Sequence, residues 1–174
     1  KKAGVKLIIY TSLLGATNDN TIKSLAGEHV ETEAALKASG ITYTILRNGW
    51  YTENYTASIP AALANNAFYG SAKNGKISSA LRAELAEAAV NVALNEGHEN
   101  QTYELAGSTS WTLADLAAEI SKQTGKEIPY VDIPAADYAA ALVQAGLDEG
   151  FAGLIAQWDV DASNGALFSE DKTL

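Results

Sequence analysis

The sequence predicts an α/β fold whose first part is a parallel sheet. An apolar run at residues 5–10 is followed by a helix-length segment at residues 21–39 and by a second apolar run at residues 42–47. A strand, a crossover helix and a second strand in this order form the unit from which parallel sheets are built. Strand-like and helix-like segments continue to alternate along the rest of the chain, which favours the α/β class throughout.

Turn and cap signals delimit the elements after the second strand. The Asn-Gly pair at residues 48–49 predicts a loop. Thr112 can cap a helix, with Asp115 three residues later as in a capping box, and Trp111 and Leu116 occupy hydrophobic-staple positions around them. Helices are predicted at residues 53–66 (with a kink near Pro60), 81–95, 112–125, 134–145 and 148–159. Short strands are predicted at residues 67–70, 101–107 and 127–133.

The first four residues look like the last turn of a helix. They end in Gly4, a common residue at helix C-termini, and run straight into the first apolar strand. A helix end without a helix leads us to expect that an amino-terminal part of the protein precedes this chain. The expected architecture is therefore the second half of a parallel sheet, followed by a smaller mixed lobe that starts near Ala67.

Composition excludes several classes of function. The 174 residues are 47% apolar and 19% charged, as in an ordinary globular domain. The formal net charge of −9 argues against sequence-independent binding to nucleic acid and against an anionic membrane surface. The chain has no cysteine, which excludes disulfides, thiolate catalysis and cysteine-built zinc sites. No apolar run approaches the length of a membrane span.

Polar and aromatic side chains follow the first two predicted strands. Residues 10–12 (Tyr-Thr-Ser) end the first strand, and residues 47–51 (Arg-Asn-Gly-Trp-Tyr) end the second. Ligands of doubly wound sheets lie beyond the carboxyl ends of the strands. Hydroxyl, amide and aromatic groups at these ends suit a nicotinamide ring and a flat acceptor, although such loops are also common without a ligand.

Several stretches of the chain resemble one family of reductases. Residues 43–55 (YTILRNGWYTENY) resemble the signature of the NAD(P)H:quinone oxidoreductases of type 2, in the NmrA-like family of atypical short-chain dehydrogenases/reductases. The likeness covers nearly the whole chain and includes residues 3–14, 28–40, 103–107, 111–113 and 165–168. It implies the carboxy-terminal part of a Rossmann-like doubly wound parallel sheet plus a small α/β substrate lobe. Residues 1–66 would be the second part of the NAD(P)-binding Rossmann domain, and residues 67–174 mainly the substrate-binding lobe, with returning Rossmann elements allowed.

The resemblance also implies an activity, namely hydride transfer from NADPH to a quinone without a flavin or a metal. NADPH is preferred over NADH only by the family likeness. Family members begin with a Gly-rich loop that binds the cofactor phosphates, and no such loop precedes Val5. This chain alone is therefore expected to be inactive, with neither measurable NADPH binding nor turnover. The alternative, from another class, is an NmrA-like NADP-sensing regulatory protein without turnover.

The proton-donor pair of alcohol-oxidising short-chain dehydrogenases is missing from the aligned helix. Leu25 stands at the Tyr position and His29 at the Lys position. This weighs against an alcohol dehydrogenase, epimerase or dehydratase, whereas quinone reduction mainly requires that two rings be aligned. His29 and Glu33 share a helix face, but without a third ligand we expect no metal site; a surface pair, or a His near the cofactor ribose, are the alternatives. No catalytic residue is assigned.

The expected site is centred on the second strand end. The residues expected to bind the cofactor are Tyr10, Thr11, Ser12, Asn48, Gly49, Trp50, Tyr51, Thr52, Glu53 and Asn54. The Trp50 and Tyr51 rings are expected to line the quinone pocket, or else to cap the core. Gly49 would permit close approach of the cofactor or serve as a turn glycine. Asn54 would bond the carboxamide or cap the next helix, and the Thr11 and Ser12 hydroxyls would face the cofactor or stabilise a turn.

The aromatic run at residues 50–51 favours the reductase over the sensor, because a sensor has no evident need for an aromatic acceptor pocket. The expected partner is a small-molecule quinone, with no nucleic acid and no membrane, and a homodimer is left open. A bacterial, cytoplasmic protein is expected from the resemblance.

Overall fold

The structure is a computed structural model that describes residues 3–17, 19 and 21–174. Strands and helices alternate along it, which confirms the predicted α/β class. The elements in chain order are β1 Leu7–Leu13, α1 Lys23–Ala38, β2 Thr42–Asn48, α2 Glu53–Thr56, α3 Ile59–Asn65, β3 Phe68–Gly70, α4 Arg82–Leu94, β4 Gln101–Leu105, α5 Leu113–Thr124, β5 Tyr130–Asp132, α6 Ala135–Gln144 and α7 Glu149–Ser163. The helix end expected at residues 1–4 falls partly on residues 1 and 2, which lie outside the described residues. Within the described ranges, no helix combines the length and the apolar content that crossing a membrane requires.

The chain divides into two compact units. The first comprises the residues up to Thr52 together with Ser78–Thr109 and Ser169–Leu174, and the second comprises Glu53–Ile77 and Ser110–Phe168. These bounds differ from the expected division after residue 66, because α2 and α3 cluster with the second unit. In turn, α4 and β4 belong to the first unit, since β4 pairs with β2. The functional names of the two parts stay predictions.

The first unit is built on a parallel sheet with the order β1-β2-β4, as the strand-helix-strand pattern predicts. The register pairs Leu13 with Asn48 and Asn48 with Leu105, so the three strands end at one edge. Ile45 and Leu46 of the middle strand are fully buried, because β2 has a neighbouring strand on each side. A core cluster lies around this strand and consists of Leu46, Ala80, Leu85, Val92 and Leu105.

The second unit holds the parallel pair β3-β5 and most of the remaining helices. The predicted capping box is confirmed at α5, where Thr112 Oγ1 accepts from the Asp115 N–H at 3.2 Å. The single helix expected at residues 53–66 is instead two, α2 and α3. The break precedes Pro60 because proline has no N–H to donate, so it is tolerated in the first turn of a new helix and not inside a continuous one.

A buried ion pair joins α1 to the sheet. Arg47 of β2 donates from Nε and Nη2 to the two carboxylate oxygens of Glu33 at 2.8 and 2.7 Å. Ser12 of β1 donates its hydroxyl to the same carboxylate at 2.7 Å. Burial raises the pKa of Glu33, but the hydrogen bonds from Arg47 and Ser12 and the charge of Arg47 outweigh it and lower that pKa to about 2. The fold therefore holds Glu33 ionised across the ordinary pH range.

A second buried carboxyl, Asp159 of α7, lies in a different environment. Its Oδ2 accepts from the Ser71 N–H at 2.7 Å. Burial raises the pKa of Asp159 to about 6; the bond from Ser71 opposes this rise, and the charge of Asp132 adds to it. A Cβ at Gly70 would lie 2.8 Å from the same oxygen, so a glycine is needed where β3 passes this side chain. The fold therefore favours the protonated form of Asp159.

Replacing Glu33 by Gln should destabilise the protein at neutral pH by about 3 kcal/mol, because it removes the buried carboxylate that accepts two hydrogen bonds from the buried Arg47 guanidinium. Glu33 has a folded-state pKa of about 2, below its ordinary 4.5, so its contribution is complete above pH 4.5 and is lost as the pH falls toward 2. The difference between wild type and Glu33→Gln should shrink accordingly in acid. Urea unfolding at about pH 7 and about pH 3 measures it. Glu31→Gln, an exposed change on the same helix, is the control; a pH-independent difference for Glu33→Gln would contradict the interpretation.

Asp159→Asn should stabilise the protein at neutral pH and change little in acid. The folded-state pKa of about 6 lies above the ordinary 3.8, so the wild type loses stability as the pH rises through this window. A neutral amide escapes that loss, and the expected gain at pH 7 is about 2–3 kcal/mol. Unfolding curves at about pH 4 and about pH 7 test this, with Glu149→Gln, an exposed change at the start of the same helix, as control. Equal effects of Asp159→Asn at both pH values would count against this assignment.

Candidate functional site

The carboxyl ends of β1, β2 and β4 meet at one edge of the first unit. The loop after β1 is joined to β2 by the Leu14 N–H, which donates to the Asn48 carbonyl at 2.9 Å. The chain after β2 is joined to β4 by the Gly49 N–H, which donates to the Leu105 carbonyl at 2.7 Å. In parallel sheets, ligands bind beyond this edge. The site residues predicted around Asn48 lie at these strand ends, and their contact with a ligand stays a prediction.

Asn48 carries an acceptor without a partner. Its Oδ1 is buried and has no hydrogen-bond partner within the described part of the chain; the same holds for Thr21 Oγ1, before α1. A buried acceptor left unpaired costs about 1–3 kcal/mol, so such atoms are rare unless water or a ligand satisfies them. Asn48 as a whole is half-buried. The atom suits an N–H donor on a ligand.

Glu104 of β4 lies opposite Arg47, the residue before Asn48, and was not singled out from the sequence. Its Oε1 accepts from Arg47 Nη1 at 2.7 Å, and its Oε2 accepts from the Gly15 N–H at 2.8 Å. It therefore bridges β2 and the loop after β1. The sequence shows only an acidic residue in an alternating strand; the pairing of β4 with β2 brings it to the site.

The predicted residues of β1 face α1 or solvent. The Tyr10 hydroxyl lies 2.7 Å from His29 Nδ1, and the Ser12 hydroxyl donates to Glu33. Thr11 is exposed. The hydroxyl of Ser12 is thus engaged within the protein, whereas Thr11 is open to solvent. Their contact with a cofactor stays a prediction.

Gly49 allows a close approach between two backbones. A Cβ at this position would lie 2.8 Å from the Leu105 carbonyl oxygen and 3.4 Å from the Ser78 carbonyl oxygen. Gly49 therefore lets its backbone come close to two other parts of the first unit, namely β4 and the segment before α4. Any larger residue at this position would push the end of β2 away from β4. This close contact is sufficient to explain why a glycine is present, and a role in a turn is not required.

Residues 50–52 run beside residues 79–81. The Ala80 N–H donates to the Trp50 carbonyl and the Thr52 N–H donates to the Ala80 carbonyl, both at 3.0 Å. The Arg82 guanidinium lies over the Tyr51 ring, 3.9 Å from its centroid. Tyr51 also packs against the core cluster, in agreement with the alternative that it caps the core. Trp50 and Tyr51 are both half-buried, so part of each side chain faces outward.

Glu53 and Asn54 belong to the second unit, as the first residues of α2. Asn54 is the second residue of α2 and does not precede it, so it does not cap this helix. The geometry of the first unit does not include these two residues, and their role stays a prediction.

No metal cluster forms among the described residues, since no three His, Asp or Glu side chains come together there. His29 contacts Tyr10, and Glu33 contacts Arg47. A cavity of about 410 Å³ in the first unit lies between α4 and β4 and is lined in part by His98 and Tyr103. None of the predicted site residues lines it.

The chain is similar to a family of NAD(P)H-binding proteins and to a quinone oxidoreductase. Residues 1–96 match the model of an NAD(P)H-binding family. Over all 174 residues the chain is 55% identical to quinone oxidoreductase 2 of Escherichia coli (strain K12), and it covers 60% of that protein.

Two solved structures are also similar. The first is an NADPH-dependent quinone oxidoreductase from Escherichia coli complexed with NADPH, with a TM-score of 0.93 and 55% identity over 99% of this chain and 60% of that one. The second is a Citrobacter sp. triphenylmethane reductase complexed with NADP(H), with a TM-score of 0.92 and 35% identity over 97% of this chain and 59% of that one.

The chain thus spans about 60% of the length of these relatives. The Rossmann-like fold and the resemblance to the type 2 quinone reductases are confirmed. From the match over residues 1–96 and the identity along the whole chain, the chain belongs to the NAD(P)H-binding family.

Proposed function

We propose that the protein carrying this chain reduces quinones with NADPH, without a flavin or a metal. The single observation that carries the proposal is the unpartnered Asn48 Oδ1 at the carboxyl edge of the sheet. The identity of 55% to a quinone oxidoreductase along the whole chain supports the substrate class. Similarity to a reductase complexed with NADPH supports this cofactor over NADH. No observation favours the NADP-sensing alternative.

The residues at the sheet edge fit a nicotinamide. The carboxamide of nicotinamide has an N–H₂ group, which can donate to Asn48 Oδ1 and relieve its cost. Tyr10, Thr11, Ser12 and the segment 48–54 are proposed as the remaining cofactor contacts. Gly49 acts indirectly here, because it keeps β2 close to β4 and thereby holds Asn48 at the edge.

When bound, NADPH supplies the hydride and the quinone accepts it. The chain mainly has to place two flat rings and exclude water, which is positioning work. The outward faces of Trp50 and Tyr51 are proposed to line the acceptor, and the Arg82 guanidinium holds the Tyr51 ring in place. The hydrogen bond between the Tyr10 hydroxyl and His29 Nδ1 holds a proton between phenol and imidazole.

A cytoplasmic, bacterial setting is proposed on the strength of the Escherichia coli relative. A quinone is the proposed partner. A possible homodimer stays a prediction, and so does the lack of membrane and nucleic-acid partners, which is argued from the net charge.

A spectrophotometric assay tests the proposed function. The protein is purified from its complete reading frame, and NADPH absorbance is followed with and without benzoquinone. We expect quinone-dependent oxidation that needs no added flavin and survives treatment with a chelator. Tight NADPH binding without quinone-dependent oxidation would favour the sensor and contradict the reductase.

Asn48→Leu should raise the KM for NADPH about tenfold, the equivalent of one lost hydrogen bond, with little change in the KM for quinone. Removing an unpaired buried acceptor does not weaken the empty protein, so its thermal midpoint should be equal or higher. This combination separates loss of binding from loss of folding. Asn91→Leu, an exposed change on α4, is the matched control. An unchanged KM for NADPH in Asn48→Leu would show that Asn48 does not bind the cofactor.

A further inference from the structure

The carboxylate of Glu104 ties two elements together at the carboxyl edge of the sheet. One oxygen accepts from Arg47 Nη1 at 2.7 Å and the other from the Gly15 N–H at 2.8 Å. Because different oxygens are used, one planar group joins β2 to the loop after β1. Its side chain is 27% exposed, which places it at the edge and not inside the core.

Both ends of this bridge flank Asn48. Arg47 precedes Asn48 in β2. On the other side, Leu14 donates its N–H to the Asn48 carbonyl at 2.9 Å, and Gly15 is the next residue of that loop. Glu104 thus restrains the strand before Asn48 and the loop that is hydrogen-bonded to it.

The fold does not depend on Glu104 for holding Arg47. Glu33 already accepts two hydrogen bonds from this guanidinium, and the loop after β1 is also held by the buried side chains of Leu14 and Ala16. The contact that only Glu104 supplies is the one to the Gly15 N–H. The loss of this contact should therefore alter the geometry at the carboxyl ends of the strands more than the stability of the first unit.

We propose that Glu104 is a positioning residue for the cofactor site, which it organises by holding the Gly15 loop against Arg47 and beside Asn48. It acts through this loop and does not itself touch the cofactor. The inference rests on the proposed function and adds to it a residue outside the predicted site.

Glu104→Gln tests the inference, because the amide keeps the shape but has one acceptor oxygen and places an N–H₂ group against a donor. We expect the Gly15 amide to exchange faster with solvent, the Kd for NADPH to rise about tenfold, and the thermal midpoint to stay near that of the wild type. The matched control is Glu99→Gln. Glu99 accepts from the Gly97 N–H at 3.1 Å, a contact of the same kind that precedes β4, at its opposite end. The control should leave NADPH binding unchanged.

The outcomes separate the two proposals. An unchanged Kd in Glu104→Gln, with normal quinone-dependent oxidation, would overturn the positioning role and leave the proposed function standing. A wild type that neither binds nor oxidises NADPH would overturn the proposed function and the inference together. If Glu104→Gln fails to fold, Glu104→Asp serves instead: it retains the charge but is too short to reach both donors, so a wild-type Kd there would overturn the inference.

Discussion

The first unit depends on one guanidinium, that of Arg47 in the middle strand. It donates to Glu33 of α1 on one side and to Glu104 of β4 on the other. The hydrogen bonds that Arg47 donates to Glu33 are the main cause that raises the pKa of Arg47 above its ordinary value, so the guanidinium stays charged at every relevant pH. Since the planar fork of an arginine offers donors in fixed directions, a single side chain sets the positions of a helix and two strands.

An ionic group in this position contributes more to specificity than to stability. Burying charges is costly, and well-packed apolar side chains in their place are often as stable. A sheet register, however, must be chosen, and a slip by one residue turns every side chain of a strand to the opposite face. In the observed register Arg47 lies opposite Ser12 and Glu104, and both side chains share in its hydrogen-bond network. The network therefore favours the alignment that brings Leu13, Asn48 and Leu105 to one edge.

Local signals made most of the fold predictable. The βαβ unit, the Thr112 cap and the strand ends around Asn48 follow from short-range patterns, and the structure agrees with them. The contacts that the sequence does not show are those between residues far apart in the chain. Glu104 lies 57 residues from Arg47 and 89 from Gly15, so only strand pairing brings it to the site. The same holds for Gly49, whose need for a glycine comes from the Leu105 backbone. The break between α2 and α3 before Pro60 has a local cause. It could not be predicted because a proline gives the same signal in the sequence for a kinked helix and for two separate helices.

Two buried carboxyls show how environment decides what an acidic residue does in this chain. Glu33 lies against a guanidinium, so the fold favours its ionised form and stability is lost in acid. Asp159 is buried close to Asp132, so the fold favours its protonated form and stability is lost toward neutral pH. The two effects act in opposite directions over adjacent pH windows, one below 4.5 and one between 3.8 and about 6. Taken together they place the most favourable pH for these two groups in the mildly acidic range. At neutral pH the ionised form of Asp159 therefore costs the second unit some stability, and local opening around Asp159 and β3 is expected to become easier as the pH rises.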